Sequence, residues 1–587
     1  MYFIGIDFGH GETTVSRVPG YNGLPVSQMS IKQSNDEADK KIISAICKKN
    51  GEWSLVYGEE DFRSDDIREG FKARISTLSE TDRESMKEFA KLVFKAILDN
   101  DDDLYFNSNE DRNFELGIAC PSDWIREDPN SQQEYLDFFR QECEIPVDHC
   151  IKESDAAFYT KFSKYKSSEN IFVIDLGSST IDFTTYADCK CVDSCCWGAN
   201  LGAHHIDDAL MADILGKGEN ADNIKILKEF KEENGYYGDV ESAISLFVRT
   251  TKERYYAEKR LAYSLGIRYD QLTPGWSEMK ICLGYSASKT VYEEVISSYT
   301  NKIKEILIKA KKQLDSNNIS IHRVMLSGGA SKMPFIKDLS SKIFNVPIDL
   351  DQQPQCVVSN GIALYAEDQK KSLDLFSSKI KILNYEELYK DADKQAILKA
   401  TKELFPPVLK DILGTTDYSG KDLFFKIANF FYGLDSNNTE YKRILNNHVN
   451  MQLTDIVSNA IKSAIKNVYG IDRTPNVSIN IDVSVMNFNP DFFTQGKGGQ
   501  TIISILEDAT GPHVFTSFDV DRPRGLQQRK SIVDTCISRL LVVDPFGPLT
   551  YEKKDLEVIA ANIKEQAINE AYKVFYNEQL FRTTFSI

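Results

Sequence analysis

The stretch Asp175-Leu-Gly-Ser-Ser-Thr-Ile-Asp182 decides how this chain is read, because an altered copy, Asp7-Phe-Gly-His-Gly-Glu-Thr-Thr14, stands at its start. Each copy follows an apolar run, Met1 to Ile6 and Ile171 to Ile174. Each therefore predicts a short buried strand that runs into a tight turn of small residues. A strand ending in an acid, then glycine, then hydroxyls presents backbone N–H groups and a fixed carboxylate to one point in space. The amides suit an anion and the carboxylate suits a divalent cation, held directly or through water. A single Asp-x-Gly-x-x-Thr is a common way to leave a strand. Two copies, far apart in the chain and both behind buried strands, predict two turns that clamp a polyphosphate from opposite sides.

The 587 residues exceed what one hydrophobic core supports, so several compact units are expected. Apolar residues at 42% and charged residues at 27% are ordinary for a globular protein. A net charge of −18 argues against nucleic acid and anionic membranes as partners, since both require a positive field. No basic stretch with an apolar core opens the sequence, and no apolar run reaches the length of a membrane span. Eleven cysteines, an odd number irregularly spaced, suit a reduced, cytoplasmic setting better than a disulfide framework.

Residues 1–370 alternate strand and helix patterns, with strands expected at Phe3–Ile6, Phe114–Ala119, Phe172–Ile174 and Val324–Leu326. From Ser298 to Ser316, Ile303, Ile306, Leu307, Ala310 and Leu314 fall on one helical face. Beyond about 370 the character changes, and 371–587 reads as a separate α+β region. Residues 385–470 carry helical patterns, including the stripe Leu453, Ile456, Val457, Ala460, Ile461, Ala464, Ile465 and Val468, with Gly470 placed as a C-cap. Strict alternation from Val477 to Val485 predicts a half-exposed strand. Further strands are expected at Thr501–Leu506 and His513–Val520, around a glycine-rich turn at Gly496–Gly499, and a final helix at Glu552–Gln579.

A third glycine turn, Leu326-Ser-Gly-Gly-Ala-Ser-Lys-Met-Pro334, lies between a strand and a helix, and bare backbone at Gly328 and Gly329 admits a flat base or ribose. Ile151-Lys-Glu-Ser-Asp-Ala-Ala157 reads as the start of a helix. There Glu153 is either a carboxylate favoured by the helix dipole or a group that orients water.

This ordered set resembles the ATPase domain of the actin, sugar-kinase and heat-shock-chaperone superfamily, and most closely the seventy-kilodalton heat-shock chaperones. Asp7–Thr14 resembles the first phosphate turn and Glu153–Ala157 the first connecting helix. Asp175–Asp182 resembles the second phosphate turn, Leu201–Asp207 the Leu-Gly-Gly segment after it, Leu326–Pro334 the adenosine turn and Ser359–Ala363 the second connecting segment. The resemblance spans about 1–368. It implies a two-lobed actin-like fold, a duplicated ribonuclease H-like α/β domain, with lobe I about 1–170 and 355–370 and lobe II about 171–354.

The same resemblance implies ATP or ADP with Mg2+ as cofactors. Asp7 and Asp175 would orient the metal and its waters, and Glu153 the attacking water. Gly9, Gly11, Thr13, Thr14, Gly177, Ser178, Ser179 and Thr180 would hold phosphates, with Gly202 approaching one by its backbone. Lys72 matches the phosphate-contacting lysine, with Arg74 as a rival. Gly328 and Gly329 would flank the adenosine beside Lys332, and Lys252 would face the ribose.

The departures from the family are specific. His10-Gly11 replaces two threonines, Gln355 stands where an aspartate is usual, and Arg249 where a glutamate is usual. The chaperone's acidic–leucine linker is missing, and in the C-terminal region helices precede strands, so peptide binding is not carried over.

Cys189, Cys191, Cys195 and Cys196, near His204 and His205, raise a structural metal against simple packing of small apolar residues. The basic run Arg522–Lys530 is a solvated loop or an anion contact, and Asp99–Asp103 a helix-ending acidic loop. The expected function is a Hsp70-like, slow Mg2+-dependent ATPase whose nucleotide state controls a protein partner or client on the C-terminal region. The alternatives are a polymerising cytoskeletal ATPase, a small-molecule kinase and a nucleotide-dependent scaffold that has lost hydrolysis.

Overall fold

The computed structural model describes residues 1–20, 25–32, 38–39, 41–58, 61, 66–162, 169–187, 190–216, 222, 225, 229, 240–258, 264–268, 282–286, 289–414, 439–481 and 553–577. Residues 1–370 form one compact unit, and the described residues from Lys371 onward form a second.

The first unit is mixed α/β. Its first sheet is built on strands β1 (Tyr2–Phe8), β2 (Glu12–Pro19), β3 (Phe114–Cys120) and β4 (Val147–Lys152). The order is β4-β3-β1-β2, extended past β2 by the short strands Ser27–Gln28 and Ile42–Ile43. The second sheet is built on β5 (Ile171–Leu176), β6 (Ile181–Ala187), β7 (Arg323–Ser327) and β8 (Ile348–Leu350). Its order is β8-β7-β5-β6, extended past β6 by Lys190–Cys191 and Trp197–Ala199.

Order and sense match between the sheets. β1 runs antiparallel to β2 and parallel to β3, with β3 parallel to β4; β5 runs antiparallel to β6 and parallel to β7, with β7 parallel to β8. All four expected strands are present, each a residue or more longer than its apolar run.

Each sheet has its own core. Ile4, Ile6, Leu116 and Ile118 of the first pack with Phe89, Val93 and Ile97 of helix α1 (Glu80–Asp99). Ser79 opens α1 by accepting the Asp82 amide at 3.1 Å, a side-chain N-cap. In the second core, Phe172, Ile174, Val324 and Leu326 pack with residues of α3 (His204–Leu215), α4 (Val240–Glu258), α5 (Lys289–Ser316) and α6 (Pro334–Phe344). The stripe expected on α5 is the face that packs: Ile303, Leu307, Ala310 and Leu314 are all buried.

Two further helices cross behind the sheets, α2 (Glu153–Phe162) and α7 (Val357–Lys381). Their crossing point is glycine. A Cβ on Gly361 would lie 1.8 Å from the Ala156 carbonyl oxygen. Thr160 Oγ1 donates to the Val357 carbonyl at 2.7 Å, pinning the crossing. Gly5 of β1 meets α7 as tightly, with its missing Cβ 2.3 Å from the Ser359 carbonyl oxygen.

In the second unit, α8 (Tyr385–Gly414), α9 (Thr439–Tyr469) and α10 (Lys553–Asn577) occupy the segments read as helical. Leu453, Val457, Ile461, Ala464 and Ile465 are buried, and Gly470 ends α9 with φ +71°, the left-handed conformation of a C-cap glycine. The strand expected from Val477 is corrected in part. Val477, Ile479 and Ile481 are buried and Ser478 and Asn480 exposed, as alternation requires, but over 471–481 no ladder partner exists among the described residues.

Side chains take the ladder's place. Asn450 accepts the Ile481 amide at 2.7 Å and donates to its carbonyl at 3.1 Å. Gln566 does the same for Asn480, at 2.9 and 2.8 Å. Thr454 accepts the Ile479 amide at 3.0 Å. The expected strands beyond Ile481, the Gly496–Gly499 turn and the Arg522–Lys530 run lie outside the described residues.

Adding a methyl group at Gly361 tests the crossing. Helix propensity alone predicts that Gly361→Ala stabilises by about 1 kcal/mol, whereas the contact predicts a loss of about 2 kcal/mol through overpacking. Urea unfolding of the full chain followed by circular dichroism should show a lower midpoint; a raised midpoint would discard the contact.

Candidate functional site

Asp7 is the penultimate residue of β1, opposite Thr14, and Asp175 the penultimate residue of β5, opposite Asp182. The matching sheets thus deliver two carboxylates in equivalent positions, and both line a single cavity of about 1090 Å³. That exceeds the roughly 300–1,000 Å³ usual for small-molecule sites. Gly9, Gly11, Lys72, Glu153, Gly177, Ser178, Ser179, Thr180, Lys252, Gly328, Gly329 and Lys332 line it too, and so does Arg74.

The second turn faces its hydrogen-bonding groups in a defined way. Its carbonyls are all engaged: Gly177 accepts the Ala203 amide at 3.1 Å, Ser178 the His204 amide at 2.8 Å, Ser179 the Gly202 amide at 2.9 Å and Thr180 the Gly177 amide at 3.0 Å. The amides of Ser178, Ser179 and Thr180 have no acceptor among the described residues. The first turn is similar. Ser44 Oγ donates to the Gly9 carbonyl at 2.7 Å, and the Ser44 amide and Arg249 Nη1 donate to the Gly11 carbonyl at 2.9 and 2.5 Å. Oriented amides without acceptors form an anion-binding nest.

Beside the nests lies an excess of negative charge. Lys72 Nζ donates to Glu153 Oε1 at 2.9 Å, and among the described residues this ammonium is the one base that acts on Asp7 and Asp175 together. Burial, then Glu153 and Asp175, pushes the Asp7 carboxyl up to about 8. Burial and then Glu153 push Asp175 to about 7. Burial pulls Lys72 down, but Glu153 and Asp7 outweigh it and hold its proton more tightly than usual. Three carboxylates around one ammonium leave two negative charges unmatched, the charge of one divalent cation.

The third turn is fitted to the second carboxylate. Gly328 has φ +82°, and a Cβ there would meet the Leu176 carbonyl oxygen at 2.2 Å and Asp175 Oδ1 at 2.7 Å. Only glycine fits that approach.

Three expected phosphate contacts are corrected. Thr13 pairs with Phe8 and turns to the same side, away from the cavity, where its hydroxyl meets Ser44 Oγ at 3.0 Å. The Thr14 hydroxyl is spent on Ser359 Oγ at 3.0 Å and the Gln355 carbonyl at 3.3 Å. Gly202 lies against the back of the second turn, where a Cβ would sit 2.1 Å from the Ser178 carbonyl oxygen. Lys252 reaches the cavity wall, but its ammonium is buried on Asp207 at 2.5 Å and the Ala203 carbonyl at 3.2 Å. Its placement opposes a free ribose-facing role.

The sequence reading missed a charged lattice at the cavity's edge. Lys41 bridges Glu12 and Glu253 at 2.8 and 2.6 Å, and Arg249 joins Glu12 at 3.2 Å and Glu253 at 3.0 Å. The i,i+4 spacing of Arg249 and Glu253 on α4 was visible; the reach of Lys41 and Glu12 was not. The cysteines do not join the histidines as one ligand group among the described residues. Cys189 lies outside those residues, Cys195 is buried, and Cys191 and Cys196 place their Sγ atoms 3.3 Å apart.

Residues 153–375 match the model of the Hsp70 protein family. The chain carries an Hsp70-like nucleotide-binding domain. It is 24% identical over 225 residues to a mitochondrial-type heat shock protein 70 of Encephalitozoon hellem, covering 38% of this chain and 35% of that protein. The corresponding protein of Encephalitozoon cuniculi (strain GB-M1) is 25% identical over 233 residues, covering 38% and 36%. The chain thus matches about a third of the length of these curated relatives. The family match takes in Glu153 and the second and third turns of the Hsp70-like domain, while the first turn lies upstream of it. Among the described residues no helix is long and apolar enough to cross a membrane.

The acid group sets a pH dependence. A carboxyl raised to about 8 or 7 keeps a proton in the folded state that the unfolded chain releases near 4. Stability without divalent cation should therefore fall as pH rises from about 4 toward 8. Asp175→Asn should flatten that fall and raise the melting temperature at pH 8 in EDTA by about 2 °C, an effect of order 1 kcal/mol. Melting curves from pH 5 to 8 on both proteins measure it; identical slopes would mean the carboxylates do not burden one another.

Proposed function

We propose that the domain of residues 1–370 binds ATP or ADP with Mg2+ in this cavity and hydrolyses ATP slowly. The observation that carries the reading is the pair of unmatched negative charges at Asp7, Asp175 and Glu153, lying beside amides that lack acceptors. The matching order and sense of the two sheets support a two-lobed, actin-like, duplicated ribonuclease H-like fold around the cleft.

Asp7 and Asp175 would hold the cation, directly or through water, and a bound Mg2+ would neutralise phosphate charge. The amides of Ser178, Ser179 and Thr180 hold phosphate oxygens from one side, and those of His10 and Gly11 from the other. Lys72 supplies a fixed positive charge, and its bond to Glu153 keeps that carboxylate aimed into the cavity, where it orients a water for attack. Gly328 and Gly329 leave bare backbone for the adenosine, and Lys332 lies beside them. The C-terminal unit, by this reading, binds a protein partner or client under control of the nucleotide state.

A second reading, nucleotide binding without turnover, is favoured by one observation. The hydroxyls of Thr13 and Thr14 are committed behind the hairpin, leaving the first turn with amides alone.

Calorimetry with ATP and ADP, with and without Mg2+, followed by phosphate release on the same sample, tests both. Asp175→Ala should abolish Mg2+-dependent ATP binding, and unchanged affinity would defeat the proposal. Glu153→Gln should keep affinity within a few-fold while phosphate release drops by about 10²-fold. Wild-type binding without phosphate release would select the second reading.

A further inference from the structure

Three of the chain's seven histidines, His10, His204 and His205, gather where the two turns meet, and the nucleotide reading uses none of their side chains. His204 and His205 open α3, and Asp208 follows one helical turn later. One ligand atom from each of the three lies within 4.8 Å of the others. The i,i+4 spacing puts His204 and Asp208 on the same helix face, with His204 Nε2 3.5 Å from Asp208 Oδ2.

The tautomer of His204 is fixed from outside this cluster. Its Nδ1 lies 2.8 Å from the Ser178 carbonyl, which can only accept, so Nδ1 carries the proton and the Nε2 lone pair points to the group. A histidine oriented through its other nitrogen by a backbone carbonyl is the usual support for a metal ligand. His205 Nδ1 is shielded from solvent and meets no strict hydrogen-bond geometry among the described residues, the Gly202 carbonyl being its one weak neighbour, so no strong bond competes for the ring.

We propose that His204, His205 and Asp208 form a site for a divalent transition metal of the zinc class, separate from Asp7 and Asp175. Two imidazoles and one carboxylate match the preference of Zn2+, Co2+ or Ni2+, whereas Mg2+ selects oxygen ligands. Three protein ligands leave a position for water or an anionic oxygen. His204 lines the phosphate cavity, and its bond to Ser178 ties the metal to the turn whose amides await an anion. The cation adds positive charge at that wall.

The test uses the full-length chain, stripped with chelator and titrated with Co2+ and Zn2+. One equivalent of Co2+ should bind with the d–d absorption of nitrogen–oxygen ligation, distinct from any Co2+ held by the carboxylates of Asp7 and Asp175 alone, and Zn2+ should displace it. Asp208→Asn, at an exposed position that folding tolerates, and His205→Ala should each weaken binding by at least about tenfold, since even outer-shell losses cost about 10–100-fold. The double variant Cys191→Ser/Cys196→Ser should keep the site. No stoichiometric uptake, uptake unchanged in both the Asp208 and His205 variants, or uptake lost with the cysteines would overturn the assignment. Asp175→Ala should still take up Co2+ even where it no longer binds ATP, so failure of the nucleotide reading leaves this result standing.

Discussion

Everything at this site follows from a charge imbalance that the protein does not correct by itself. Among the described residues Asp7, Asp175 and Glu153 share one ammonium, that of Lys72, and burial raises the Asp7 and Asp175 carboxyls toward neutrality, so that ionising both is costly without a cation. A folded chain that only sought stability would place another base there or remove an acid. It instead places beside them two turns in which the carbonyls of Gly9, Gly11, Gly177, Ser178, Ser179 and Thr180 accept bonds from the protein, while the amides of Ser178, Ser179 and Thr180 find no acceptor among the described residues. A cation for the acids and an anion for the amides, joined in one ligand, satisfy both at once.

The scaffold holds this imbalance in place by close backbone contact rather than bulk. Gly361 lets α7 cross α2 next to Glu153, and Gly328 lets the third turn rest on Leu176 and Asp175. Behind the first hairpin, Thr14, Ser16 and Ser359 hydroxyls join β2 to the start of α7, with Ser16 and Ser359 Oγ atoms 2.8 Å apart. Hydroxyls that could have faced a ligand serve as anchors. The first turn is therefore chemically plain, offering a ligand its backbone amides rather than hydroxyls.

Much of this was legible in the sequence because it is local. An apolar run ending in Asp and Gly specifies strand, turn and carboxylate together, and such features survived unchanged from Asp7 to Gly177. Helix faces with a clear period, as on α5 and α9, were equally readable. What the sequence hid is set by register and by partners distant in the chain. Thr13 is turned away because it pairs with Phe8, a parity that one residue of shift would reverse. Lys252 is withdrawn from the cavity by Asp207, forty-five residues earlier. The Val477–Ile481 segment kept its alternation but found Asn450, Thr454 and Gln566 in place of a neighbouring strand, and no periodicity foretells side-chain amides standing in for a ladder.

Two charged groups flank the cavity, and their difference separates site from support. Glu12, Glu253, Lys41 and Arg249 contain two acids and two bases in mutual contact. Burial would raise the Glu253 carboxyl, yet Arg249 and Lys41 hold it down near 2. The stabilisation it gives is complete above the ordinary carboxylate range and is lost only as pH falls through about 2. Asp7 and Asp175 behave with the opposite sign, losing stability as pH rises from the ordinary carboxylate range toward about 7 and 8. A neutral lattice is closed to further ions, because any added charge must break an existing pair. An unbalanced one is open, and the size of its deficit states the valence of what completes it.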